Sequence, residues 1–196
     1  MLAKVFPIEL KDGKQAEVEA IIEDAASAAL VAAAGASVIG TTSAGISWAT
    51  GVPDGGSLGR ERAVEAVRSI VNAVTVPVTA DIERGYGAEP EDVGQTVIAV
   101  IDAGFAGINL EDSSADGSLL NATLQQERLR AARAASEDAG ARIWINARTD
   151  VFLVGNASDR ERLADARARA LDYAAAGADS LFVPGLTQLD LIAELA

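Results

Sequence analysis

Three short segments place acids and an arginine where strands should end. Asp81 and Glu83 stand two apart in TADIERG, Glu111 closes INLEDS with Asp112 beside it, and Arg148 and Asp150 stand two apart in INARTD. Successive side chains of a strand alternate between its faces, so each spaced pair shares one side. Carboxylates gathered without His or Cys repel one another unless a cation sits among them. All-oxygen ligation of that kind suits Mg²⁺, with Mn²⁺ as its substitute. Arg148 adds a planar cation able to grip the carboxylate or phosphonate of a substrate on the same rim. Taken singly, Asp112 and Asp150 read more readily as a helix cap or a solvated loop residue.

Two further segments carry weaker signals. Gly40 to Gly45 is a run of small residues, which lets backbone N–H groups approach an anionic ligand. It reads equally as a chain turn at Gly45 with Ser43 capping the next helix. In the triplet Gly85-Tyr86-Gly87, Tyr86 supplies the one phenol near the expected rim. It is a candidate acid or base, with core packing as the alternative. Trp48 reads as packing, and the polar stretch 113–122 reads as a lid over whatever binds at the rim.

The rest of the composition narrows the chemistry. The chain of 196 residues has no Cys and no His, which excludes disulfides, thiolate nucleophiles, imidazole bases and the usual zinc sites. Its three lysines, Lys4, Lys11 and Lys14, lie far in sequence from the acid segments, so a Schiff-base lysine is not expected. With 29 Asp+Glu against 16 Lys+Arg and a formal charge of −13, neither a nucleic-acid surface nor an anionic-membrane surface is expected. No window approaches the roughly 18 consecutive apolar residues of a membrane span, and no leader pattern opens the chain. The expected partner is a small molecule and the expected location cytoplasmic.

The elements that must position these residues follow one repeated phrase: an Ala-rich helix ends at a Gly and hands over to a short β-branched run. It recurs at Gly35, Gly104, Gly140 and Gly177, about 35 residues apart with one double gap that holds a Gly-less version at 72–81. This predicts strands near 37–41, 76–81, 106–111, 142–148 and 179–184, with an earlier one at 18–22. Helices are expected near 24–34, 60–73, 90–103, 123–139, 158–176 and 187–195. Alternating strands and helices imply a parallel α/β fold, either an open doubly wound sheet or a (β/α) barrel, with ligands at the carboxyl ends of the strands. Eight units need roughly 250 residues, so this length holds about six of them. Residues 1–17 read as an N-terminal extension and 18–196 as the α/β domain.

Five strings, TTSAGISWATGVPDG (41–55), PVTADIERGYG (77–87), AGFAGINLEDS (103–113), INARTD (145–150) and FVPGL (182–186), together resemble the isocitrate lyase/phosphoenolpyruvate mutase superfamily in order and spacing. The wording is most similar to its phosphoenolpyruvate mutase-like branch. The resemblance implies a TIM-type (β/α) barrel, here lacking its last two units. It also implies a homo-oligomer, dimer or tetramer, and Mg²⁺ that stabilises the enolate of a 2-oxo acid while a C–C or P–C bond is made or broken. By position, Asp81, Glu83 and Glu111 match the family's metal acids and Asp54 a further acid near the metal's water shell. Arg148 matches its substrate arginine, and the Thr42-Ser43-Ala44 backbone its carboxylate-holding loop.

The chain also departs from the family. The lyases carry a Lys-Lys-Cys-Gly-His lid and the mutases a Lys-Thr-Asn lid, whereas this lid reads SSADGSLLN, and Gly185 stands where many members have Glu. The expectation is therefore a lyase, decarboxylase or phosphonomutase acting on a small 2-oxo acid or related carboxylate. Its rival is a non-catalytic barrel that binds, completed by association.

Overall fold

The computed structural model describes residues 19–196. Residues 1–17, read as an extension, lie outside the described residues. Six strands form one all-parallel sheet: β1 (Glu19–Ile22), β2 (Val38–Thr41), β3 (Val78–Asp81), β4 (Gly107–Glu111), β5 (Trp144–Arg148) and β6 (Ser180–Phe182). Their spatial order is β1-β2-β3-β4-β5-β6, the order of the sequence. A doubly wound sheet reverses order at a switch point, whereas a sheet that never reverses is the wall of a (β/α) barrel.

The connections are helical: α1 (Ala25–Ala33), α2 (Ser43–Ala49), α3 (Arg60–Val71), α4 (Pro90–Asp102), α5 (Ala122–Asp138), α6 (Asp159–Ala175) and α7 (Leu189–Leu195). The glycines of the repeated phrase adopt φ between +67° and +107°, the left-handed geometry that ends a helix and that a side chain disfavours. Helix starts follow local chemistry as well. Asp24 caps α1, Asn121 caps α5, and Ser158 with Glu161 forms a capping box on α6.

Alternation along the strands divides the sheet into two faces. Ile108, Leu110, Ile145 and Ala147 are buried under the helices, where they meet Val93, Val97 and Val100 of α4 and Leu129 and Ala132 of α5. The opposite, concave face carries a polar seam. The Ser180 hydroxyl donates to Asn146 Oδ1 (2.6 Å), Asn146 Nδ2 to Asn109 Oδ1 (2.9 Å), and Asn109 Nδ2 reaches Asp81 Oδ1 at 3.5 Å. At the amino end of the strands, Arg133 of α5 clamps Gly177 O, Ile143 O and the Asp179 carboxylate. None of the described helices is long and apolar enough to cross a membrane.

Helix α2 lies where the sequence implied an open loop. Its seven residues include Gly45, and its N-cap Thr42 makes no side-chain capping bond, so local propensity is weak. Tertiary packing holds it. Ile46 and Ser47 are buried, and a Cβ on Gly45 would stand 2.7 Å from Glu23 Cβ, so the glycine provides close approach to the end of β1. Trp48, expected to pack, is 70% exposed.

Candidate functional site

The carboxyl ends of β2 to β5 bring the expected site residues to one rim. Asp81 ends β3, and the chain then turns sharply through Ile82 to Gly85. Glu83 (φ +50°) and Tyr86 (φ +54°) are the described non-glycine residues with positive φ. Such geometry costs about 1–3 kcal/mol per residue and survives only where its surroundings enforce it. Here they do: Gly85 N–H donates to Ile82 O (2.7 Å), Glu111 N–H to Glu83 O (3.0 Å) and Ile82 N–H to Asn109 O (3.1 Å).

The two acids of this turn sit in opposite electrostatic situations. Asp81 is satisfied: Oδ2 accepts the Ser43 N–H (3.1 Å) and hydroxyl (2.9 Å), and Oδ1 accepts the Glu83 N–H (3.1 Å). Glu83 is 3% exposed, and neither of its carboxylate oxygens has a hydrogen-bond partner. Burial, followed by the charges of Asp54, Asp81 and Glu111, pushes its carboxyl up to about 7, with Arg84 opposing. A buried carboxylate without a partner is costly enough that a cation or a proton must answer it.

Glu111, at the end of β4, accepts the Ser113 hydroxyl at Oε1 (2.7 Å) and pairs with Arg148 Nη1 through Oε2 (3.2 Å). Burial raises its carboxyl above the ordinary range, while Arg148 and Ser113 pull it back. Arg148 in turn is held by Asp150, Nε to Oδ1 at 2.6 Å and Nη2 to Oδ2 at 3.2 Å. Burial works against its charge, but the Asp150 bonds and the Glu111 charge keep the guanidinium above its ordinary pKa.

Asp112 is neither a cap nor solvated. Fully buried, it accepts the Asp150 N–H (2.9 Å), Arg169 Nη1 (3.0 Å) and the Tyr173 hydroxyl (2.7 Å). Helix α6 thereby supports the Arg148–Asp150 pair from beneath.

The remaining expected residues take varied places. Asp54 lies exposed in the segment between α2 and α3, where its charge reaches Glu83. Thr42 is the N-cap of α2, and Ser43 and Ala44 are its first residues, so this segment is helical rather than a loop, and the Ser43 N–H is already given to Asp81. Tyr86 packs against the core, with its hydroxyl beside Glu83. Burial and then the neighbouring Glu83 and Asp81 charges raise its phenol, which stays protonated at neutral pH.

A cavity of about 740 Å³ opens beside this rim, with Gly56, Glu83, Arg84, Tyr86, Ser113 and Arg128 on its wall. The expected lid is a compact hairpin over it: Ser113 bridges Leu119, Ser114 N–H donates to Ser118 O (2.7 Å) and Leu120 N–H to Asp112 O (2.8 Å). Within it, the Ser114 and Ser118 hydroxyls hold the Asp116 carboxyl down at about 2.

Among the described residues, no three acids converge on one point. Asp81 is turned to Ser43, and Glu111 to Ser113 and Arg148. The donor set nevertheless fits a hard divalent cation, because Glu83 leaves two buried oxygens unanswered amid other carboxylates.

Sequence reasoning passed over two residues here. Arg84 lies inside the quoted string PVTADIERGYG, and its charge amid the acids was the available signal. Arg128 is almost fully buried and donates to Gly87 O (3.2 Å), Ala88 O (2.9 Å) and Arg84 O, which fixes the 84–88 turn. Its signal is its place on the buried stripe Gln125, Arg128, Leu129, Ala132.

Known proteins resemble this chain in sequence and in fold. A family model described as phosphoenolpyruvate phosphomutase matches residues 9–196. A crystal structure of a Burkholderia cenocepacia J2315 protein, provisionally called a phosphonomutase, superposes with a TM-score of 0.88 at 44% identity, covering 91% of this chain and 74% of that one. A phosphonopyruvate hydrolase solved with oxalate and Mg²⁺ superposes with a TM-score of 0.78 at 25% identity, covering 90% and 61%. The 2-methylisocitrate lyase of Escherichia coli K12 is 30% identical over 154 residues, 74% of this chain and 49% of the enzyme. The chain spans about half to three fifths of the length of the curated relatives it matches.

Proposed function

Because the chain belongs to the phosphoenolpyruvate phosphomutase family, within the isocitrate lyase/phosphoenolpyruvate mutase superfamily, we propose that it is a Mg²⁺-dependent enzyme of a small 2-oxo acid or a related carboxylate or phosphonate. The reaction makes or breaks a C–C or P–C bond, as a lyase, decarboxylase or mutase. The observation that carries this reading is Glu83, a buried carboxylate with no hydrogen-bond partner on the wall of a cavity, within reach of the charges of Asp54, Asp81 and Glu111.

In this reading Asp81, Glu83 and Glu111 hold the metal directly or through water, with Asp54 in its water shell. A bound Mg²⁺ supplies Lewis-acid stabilisation for the negative charge that develops as the bond next to the carbonyl breaks. The protein's own groups do the rest. Arg148, fixed by Asp150, grips the substrate's carboxylate or phosphonate through the face it now turns to Glu111. The start of α2 at Thr42, Ser43 and Ala44 lines the other side, where the Thr42 N–H is held by Ile22 O and the Ser43 donors by Asp81 until a ligand displaces them. Tyr86, kept protonated, is placed to give a proton, a role this Cys-free lid cannot fill. The 113–121 hairpin keeps water out.

The test is turnover of phosphonopyruvate and oxaloacetate with Mg²⁺ by the protein and by Asp81→Ala. Loss of metal-dependent turnover in the variant is expected, and full turnover by it contradicts the assignment. The second reading is a barrel that binds the same ligands without turnover. It is favoured by the direct Glu111–Arg148 pair, which must open before either residue reaches a ligand. Ligand binding with no turnover of any of these acids would select it.

A further inference from the structure

We propose that Arg84 is a specificity-determining residue that receives the second, distal anionic group of the substrate. The inference rests on the enolate-site reading above and adds to it the far end of the ligand.

The cavity wall offers three arginines, and two are spent. Arg60 donates to Thr96 Oγ1 (2.9 Å), Gln95 Oε1 (3.0 Å) and Asp92 O (3.2 Å). Arg128 is committed to the carbonyls of the 84–88 turn. The Arg84 guanidinium makes a single hydrogen bond among the described residues, from Nη2 to Gly55 O at 2.8 Å. Its Nη1 stands 3.8 Å from Glu111 Oε1, an ion pair too long for a hydrogen bond. A fork of five donors with one in use is available to a planar anion.

The surroundings are built to keep it there. Arg128 pins the Arg84 carbonyl, and the positive φ of Glu83 and Gly85 on either side fixes the backbone direction. A Cβ on Gly56 would lie 2.9 Å from Arg84 Nη2, so the glycine leaves room for the guanidinium. Apart from these arginines the charged residues of the wall are Glu61, Glu83 and Glu89, which repel an anion placed beside them. Arg84 and Arg148 approach opposite oxygens of the one Glu111 carboxylate, so the two guanidiniums lie within the span of a short-chain diacid.

Calorimetric titrations in saturating Mg²⁺ with oxalate, malate and 2-hydroxybutanoate test this. The last two have equal chain length and differ in the distal carboxylate alone. The protein should prefer malate by about tenfold or more, and Arg84→Met should bring the two within about twofold while oxalate affinity stays unchanged. Arg84→Lys, which keeps the charge, should recover part of the preference. Persistence of the malate preference in Arg84→Met, or its absence from the parent protein while oxalate binds, overturns the inference and leaves the enolate-site reading standing. Failure of the parent protein to bind oxalate overturns both.

Discussion

Asp81 Oδ2 accepts two hydrogen bonds from Ser43, the backbone N–H at 3.1 Å and the hydroxyl at 2.9 Å, across 38 residues of sequence. One oxygen thus ties the start of α2 to the end of β3, and the expected anion-holding segment and the expected metal acid move as a unit. Ser43→Ala removes one of the two bonds. It should lower unfolding free energy by about 1 kcal/mol in urea titrations and weaken Mg²⁺ binding, because Asp81 loses the contact that orients it.

Glu83→Gln should separate stability from function. The Glu83 carboxyl sits at about 7 in the folded protein against an ordinary value of 4.5, raised first by burial. The folded state therefore holds this proton more tightly than the unfolded chain does. Stability falls as pH rises from about 4.5 through 7, and the full cost is present above that range. Without metal at pH 8, Glu83→Gln should be more stable by about 2 kcal/mol and should lose this pH dependence, and added Mg²⁺ should no longer raise its melting temperature. Denaturant melts across pH, with and without Mg²⁺, check all three.

The Arg169–Asp112 pair beneath the site should be costly to break. Arg169→Met leaves the fully buried Asp112 carboxylate with the Tyr173 hydroxyl and the Asp150 N–H but no cation, and should cost about 3–5 kcal/mol. Tyr173→Phe, which removes the hydroxyl's bonds with Asp112 and Arg169 but leaves the ion pair, should cost about 2 kcal/mol. Equal losses from the two variants would contradict the ranking.

Asp179 gives a pH effect of the opposite sign. Burial opposes its ionisation, but the Ile145 N–H and the Arg133 and Arg142 guanidiniums outweigh that and hold the carboxyl below its ordinary value. Its contribution is present above the unfolded value near 3.8 and fades as pH falls through the lower folded value. Asp179→Asn should therefore lose stability at pH 7 and differ little from the parent at the acid end, as read by urea melts at the two pH values.

The barrel wall was legible because its signals are local. A glycine that ends a helix followed by an apolar run marks a handover whatever surrounds it, and Gly35, Gly104, Gly140 and Gly177 all do so. Asp81 and Glu111 were legible for the same reason, since each ends a strand. Helix α2 was hidden, because Gly45 and an uncapped Thr42 argue against a helix that packing alone secures. Asp81 and Glu83 look alike in sequence; what divides them is Ser43, distant along the chain, which satisfies one and leaves the other alone. Nothing in the sequence singled out the buried Arg128 and Arg169, because their partners, loop carbonyls and Asp112, lie on other units.

Whether this rim is a working metal and enolate site is read from thermal unfolding of the protein alone, with Mg²⁺, and with Mg²⁺ plus oxalate, a planar mimic of an enolate. The melting temperature should rise with Mg²⁺ and rise further when oxalate is added, by about 2.7 kcal/mol of added stability for a ligand at 100 times its Kd. An unchanged melting temperature in both cases would contradict it.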